Sequence, residues 1–284
     1  MSAVWRRPAV AVLEVVWRWA VGIPLLALAV VESFSVSRGT RLNTEALQAM
    51  TVFQPVAAFQ TIDAAMARIV PVARPIAIWL FPLAVLSWLL AAALGRTMVL
   101  RLFDRRLRAR PLTLLALGTL RATLLTAVWM LWFELVMQAG KIAIMGPAAR
   151  GGEPNLIFYC AMLICGTLIL YVLWAIFSWP FYLAPLLAMQ RNLGPIAALS
   201  TALRGTSVRG KLIEINLVMN IVRIALIVLA MVFSASPLPF SSIETQTFLN
   251  FWWSGVMLLY LAMSDYFHVV RSAAYLSLWR ALEG

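Results

Sequence analysis

The sequence predicts an all-α membrane protein: a single bundle of six transmembrane helices with interfacial amphipathic helices, and both termini in the cytoplasm. Three observations carry this reading. Apolar residues make up 63% of the 284 and charged ones 12%, against about 25% charged in soluble domains; so few charges cannot cover a soluble surface. The apolar residues gather in runs of about 20, the length of helix that crosses about 30 Å of hydrocarbon. Basic residues stand mostly between the runs, where they meet anionic headgroups.

The first span is expected at 16–34. Arg6 and Arg7 before an apolar stretch resemble a signal peptide, but Arg18 and Glu32 interrupt it and no small-residue cleavage site follows. An uncleaved span fits better. Glu14 and Arg18 stand in the favourable order for a helical pair, and Pro24 is expected to kink the span. Residues 42–72 are too polar to cross. Asn43 can cap a short helix with Glu45 in its first turn. Phe59, Ile62, Met66, Ile69 and Val70 then repeat at helical spacing around Gln60, Asp63 and Arg68. That pattern suits a helix in the membrane interface, or one packed over the span ends.

The second span, 75–94, runs into Arg96, Arg101, Arg105, Arg106, Arg108 and Arg110, opposed only by Asp104. The third covers 112–137. Gly140, Gly146, Pro147, Gly151, Gly152 and Pro154 follow and read as flexible turns. From Leu156 to Met189 no residue is charged, and a helix of that length would rise about 51 Å, too far for one crossing. Pro180 and Pro185 offer the solution: span four, 156–179, breaks near Trp179, and the remainder lies along the cytoplasmic interface. Span five covers 212–234 and is closed by Pro237 and Pro239. Span six, 248–270, continues as a basic amphipathic tail through Arg271, Tyr275, Trp279 and Arg280.

Orientation follows from the basic residues. With the amino terminus inside, fifteen fall on the cytoplasmic side and six outside, a positive-inside pattern. Trp79, Trp129, Trp132, Trp252 and Trp253 then fall at the outer interface, and Trp17, Trp19, Trp179 and Trp279 at the inner one. The net charge of +12 therefore points to anionic lipid headgroups as partners and away from nucleic acid. Only Lys141 and Lys211 are lysines, the bias of a GC-rich bacterial genome. Cys160 and Cys165 stand five apart in an apolar run and suit packing rather than a disulfide or a metal.

Ionisable side chains within spans are costly to bury and are candidates for function. The set is Arg121 in span three, Arg223 in span five, and Asp265 and His268 in span six. Asn216 and Asn220 precede Arg223 at i, i+4, i+7 and give span five a polar face. Asp265 has Arg121 and Arg223 as expected partners, in an ion pair joining spans three, five and six. The same residues could instead line a pathway for a substrate or ion. Asp265 and His268, three apart, could relay a proton, or simply hydrogen-bond.

The chain has no glycine-rich phosphate loop, no histidine pair and no G-x-S-x-G elbow. No catalytic residues, cofactor or metal are expected. From Trp179 the chain reads WPFYLAPLLAMQRNLGPIAALSTALRGTSVRGKLIEINLVM. Pro185, Gly194, Pro195, Ala198, Leu199, Arg209 and Gly210 follow an order that resembles bacterial six-span proteins of the glycerophosphodiester-phosphodiesterase membrane-domain and YciC-like type. The resemblance covers about a third of the chain. It implies six spans in the bacterial inner membrane and no settled activity. The expected role is a non-enzymatic accessory, scaffold or lipid-contacting protein, with a membrane protein or a second copy as possible partner. The alternative is a transporter or channel subunit with its polar site on spans three, five and six.

Overall fold

A computed structural model describes residues 8–40, 42, 44–51, 54–204, 209–235 and 245–283. Every element among them is helical. α1 is Pro8–Gly39, α2 Thr44–Gln48, α3 Pro55–Phe103 and α4 Pro111–Gly140. A π-helical turn, Lys141–Met145, leads into α5, Gly146–Ala149. Then come α6 (Leu156–Phe177), α7 (Pro180–Arg191), α8 (Pro195–Arg204), α9 (Arg209–Ala235) and α10 (Gln246–Glu283). The expected features at Arg6, Arg7, Asn43, Pro237 and Pro239 lie outside the described residues, as do the side chains of Phe59, Arg209, Trp279 and Arg280.

Five stretches are long and apolar enough to cross a membrane: Pro8–Gly39, Val56–Phe103, Pro111–Ala149, Leu156–Arg191 and Gly210–Ala235. Many of their exposed side chains are large and apolar, among them Phe34, Ile78, Phe81, Met130, Phe133, Ile164 and Met231. Water would penalise that surface by about 25 cal/mol per Å², whereas lipid would not. α10 has the length, 38 residues, but Gln246, Asn250, Ser254, Ser264 and Asp265 dilute its apolar character.

The helices depart from the expected boundaries in four places. Residues 55–72 are not a separate interfacial helix, because α3 runs unbroken through them into the expected second span. Pro71, Pro75 and Pro82 lie inside it; at spacings of four and seven they share one face, so the lost hydrogen bonds fall on one side of the helix. Residues 140–149 are helical rather than flexible turns, and the non-helical connection begins only at Arg150. There Gly151 takes φ 73°, a left-handed backbone suited to glycine. The long uncharged run does divide, with α6 ending at Phe177 and α7 starting at Pro180. Yet α7 does not lie along a surface: nine of its twelve residues are buried. A helix apolar on every side is most stable when enclosed. Likewise the tail after span six is a continuation of α10, and its Arg271, Tyr275 and Leu276 are buried.

Packing divides the chain into two compact units. The first comprises Met1–Trp19, Ala91–Gly118 and Trp174–Gly284, and the second Ala20–Leu90 and Thr119–Leu173. The core of the first is built on α7, with Leu183, Ala184, Leu187, Ala188 and Met189 joined by Leu114, Leu117, Ala198, Ala202, Leu212 and Tyr275. A smaller cluster of Val10, Val99, Val269 and Val270 lies in the same unit. α7 ends at Asn192 in the left-handed region, φ 58°, and Leu193 N–H closes on Ala188 O at 3.2 Å, a Schellman-type end. α9 and α10 pair antiparallel. Tyr275 hydroxyl donates to Leu212 O at one end of the pair. Trp252 and Trp253 indoles donate to Phe233 O and Ser234 O at the other. In the second unit, Trp132 donates to Thr167 Oγ1 at 3.0 Å across α4 and α6, and Gly166 lets α6 approach Leu135.

In the first unit, Gly95 on α3 rests against the indole of Trp17 on α1. A helix-interior Gly→Ala change normally stabilises by roughly 1 kcal/mol. Here the added methyl meets rigid ring atoms, so Gly95→Ala is expected to destabilise by about 1–3 kcal/mol. Thermal unfolding of the detergent-purified protein checks the sign, which helix propensity alone would reverse.

Candidate polar site at the junction of four helices

The polar centre of the first unit starts on α1. Glu14 is 1% exposed, and Arg18, one turn on, places its Nε 2.7 Å from Glu14 Oε1. The contact is charge pairing rather than an aligned hydrogen bond. The same guanidinium reaches across to α10, where Nη1 donates to Asp265 Oδ1 at 2.8 Å. Trp19 Nε1 donates to Asp265 Oδ2 at 3.1 Å, and Trp17 Nε1 to Glu14 Oε2 at 2.9 Å. Three of the four carboxylate oxygens accept a hydrogen bond, and the fourth, Glu14 Oε1, meets the Arg18 charge. Arginine suits this position because its fork serves two acceptors at once and never loses its charge.

His268 lies three residues beyond Asp265 on α10, with Nε2 3.6 Å from Glu14 Oε1 and Nδ1 3.2 Å from Arg271 Nη2. Arginine can only donate. In its neutral form His268 would therefore accept at Nδ1 and carry its proton on Nε2, towards Glu14. Arg271 continues the chain: its Cζ stacks 3.9 Å over the Tyr182 ring, and Nη1 donates to Asn216 Oδ1 at 3.4 Å. Tyr182 in turn stacks on Tyr275 at 6.2 Å between centroids. Asn216 on α9 is fully buried. Its amide donates to Ala175 O near the end of α6 and, at 3.0 Å, to Ser178 Oγ in the break before α7. Contacts thus run from Asp265 through Arg18, Glu14, His268 and Arg271 to Asn216 and Ser178.

A cavity of about 30 Å³ adjoins this chain, lined on its polar side by Glu14, Arg96, Tyr182, His268, Ser272 and Tyr275. That is room for roughly one or two waters. A wider groove of about 330 Å³ in the second unit is lined by alanines and leucines, among them Leu42, Leu47 and Ala64, with Gln60, Thr61 and Arg68. Among the described residues no three His, Cys, Asp or Glu side chains group as metal ligands.

Of the residues singled out from sequence, the structure brings Asn216, Asp265 and His268 into one network. Asn220 is buried on the same face of α9. Arg223 is exposed, and Arg121 belongs to the second unit. The expected pairing of Asp265 with Arg121 or Arg223 is therefore replaced by Arg18. Glu14, Arg18, Ser178, Tyr182 and Arg271 were not in the expected cluster. Glu14 and Arg18 could have been suspected from their spacing in an apolar stretch, and Arg271 from its place one turn after His268. Nothing in the sequence ties Ser178 or Tyr182 to them. No family model, curated protein or solved structure matches the chain.

Removing one partner of a buried ion pair strands the other charge, at about 3–5 kcal/mol. Arg18→Met strands both Glu14 and Asp265 and is expected to cost at least that range before discounting for Arg18's partial exposure. Asp265→Leu combined with Arg18→Met should cost less than the sum of the single changes, because the stranded Asp265 charge is gone. Unfolding of the four proteins of this cycle in one detergent measures the coupling. Asn216→Leu removes the amide from buried acceptors and is expected to cost about 1–3 kcal/mol in the same assay.

Proposed function

We propose that the chain is a non-enzymatic accessory, scaffold or lipid-contacting protein of the bacterial inner membrane, with six spans and both termini cytoplasmic. It would be of the same broad kind as the six-span membrane-domain proteins that its 179–219 stretch resembles. One observation carries the reading. The buried ionisable groups of the first unit are engaged with one another, and the cavity beside them holds about 30 Å³. Acid–base or nucleophilic chemistry needs a substrate within hydrogen-bond reach of the reacting groups, and one or two waters fill this space. Groups engaged in this way lock helices together.

Five apolar helices support the membrane reading. The 38-residue length of α10 and its antiparallel pairing with α9 support reading it as the sixth crossing. The excess of basic residues on one side of the spans supports termini on the cytoplasmic side. Partners on this reading are anionic lipid and a membrane protein or second copy.

A second reading, a transporter or channel subunit, has one observation in its favour. α6 and α7 are two halves of a broken apolar run, and the break is lined by Asn216 and Ser178. Broken helices with polar linings mark substrate sites in transporters.

Purification in mild detergent followed by mass spectrometry separates the two. The scaffold reading expects a stoichiometric co-purifying protein or a retained lipid class. Protein that elutes alone and lipid-free, together with solute flux in vesicles that Arg18→Met or Asn216→Leu abolishes, would favour the transporter instead.

A further inference from the structure

We propose that the α3–α4 loop and the α7–α8 turn form one ordered basic platform that binds the phosphates of anionic phospholipid headgroups; this rests on the membrane reading above. The loop carries Arg105, Arg106, Arg108 and Arg110, with Asp104 as its one acidic residue. It is held in place. Asp104 Oδ1 accepts from Arg106 N–H at 2.9 Å and folds the turn, and Leu107 is buried in the core. Arg108 N–H donates to Met189 O at 3.0 Å. Arg110 Nε donates to Asn192 Oδ1 at 2.7 Å, the residue whose left-handed backbone ends α7.

These bonds set the loop beside Arg191, so two segments more than 80 residues apart present their arginines from one place. Arg105, Arg106, Arg108 and Arg191 are exposed. Fixing the Nε of Arg110 to Asn192 leaves its two terminal nitrogens to meet an acceptor, and paired N–H groups match phosphate oxygens. Two large apolar side chains flank the arginines. Leu112 at the start of α4 is 79% exposed and Ile196 at the start of α8 is 84% exposed.

Position selects the ligand. The loop joins two helices that are each apolar enough to cross a membrane, so it sits where one membrane surface would be. There arginines meet headgroup phosphates while Leu112 and Ile196 dip among acyl chains. A nucleic acid would satisfy the arginines but not the two apolar side chains. The ordered backbone also lowers the entropy lost on binding.

The test compares the full chain with a variant carrying R105Q, R106Q, R108Q and R191Q, one carrying lysine at the same four positions, and an R68Q/R150Q control in the second unit. Alkaline carbonate extraction of cell membranes comes first: loss of the wild type from the membrane would overturn the membrane reading itself. For protein that stays, phosphatidylglycerol and phosphatidylcholine are titrated into the detergent-purified proteins, and retention is read by native mass spectrometry. The wild type, the lysine variant and the control are expected to prefer phosphatidylglycerol. The glutamine variant is expected to lose about fivefold in that preference per arginine removed, with its unfolding temperature unchanged in lipid-free detergent. The proposal is overturned if a membrane-embedded wild type shows no preference, if the glutamine variant keeps it, or if a random DNA oligonucleotide binds and phosphatidylglycerol does not.

Discussion

Arg18 holds two carboxylates, Glu14 on its own helix and Asp265 on α10, and the arrangement of the first unit depends on it. A carboxylate moved from water into a low-dielectric interior loses several kcal/mol of solvation. Glu14, at 1% exposure, is tolerable only where a cation and donors replace that water. The pairing must therefore form if α1 is to pack against α10. Trp17 and Trp19 complete the shell with indole N–H groups, which bring hydrogen bonds without adding charge. His268 joins from the far side. Arg18 and Trp19 of α1 meet Asp265 of α10, and Glu14 meets His268, so α1 cannot leave without stranding Asp265.

The same logic extends along α10. Successive turns place Asp265, His268, Arg271 and Tyr275 on the side of the helix that meets α1, α7 and α9. Each serves a neighbour in turn: Asp265 binds α1, Arg271 covers the Tyr182 ring of α7, and Tyr275 reaches the backbone of α9. Asn216 is placed where α6 stops, and takes up a carbonyl that the missing next turn of helix leaves over. The proline at 180 ends the helix and the asparagine on α9 satisfies the end it creates. The break is thus built into the packing, and α7 is an enclosed helix of its own rather than the end of one long rod.

Much of the helix content was legible because apolar run length and proline position act locally. The break before Pro180 and the helical stretches of spans one, three and five follow from such cues. The boundaries that were misjudged have local causes too. An interfacial segment to 72 was expected apart from a span starting at 75, but Pro71 and Pro75 lie on one face and are carried within a continuous helix. The Gly-rich stretch after 140 was expected to be turns, yet Gly146 and Pro147 begin a helix, where proline needs no donor. The polar cluster was half legible. Asp265, His268 and Asn216 stand out as polar residues in apolar runs, whereas Arg18 and Arg271 lie near the run ends and read as flanking charges.

What the sequence by itself determined is the helical, lipid-compatible character of the chain, the positions of most helices, and which side chains would be expensive to bury. These depend on composition and on spacings of three to seven residues. Only the tertiary structure decided which partner each costly side chain takes. Asp265 had arginines at 121 and 223 to choose from and pairs with Arg18, 247 residues away in the chain. It likewise joined the arginines of the α3–α4 loop to the end of α7 through Met189 and Asn192. Charge pairing acts over a few ångströms in space, and the sequence carries no record of which distant segments packing will bring within that reach.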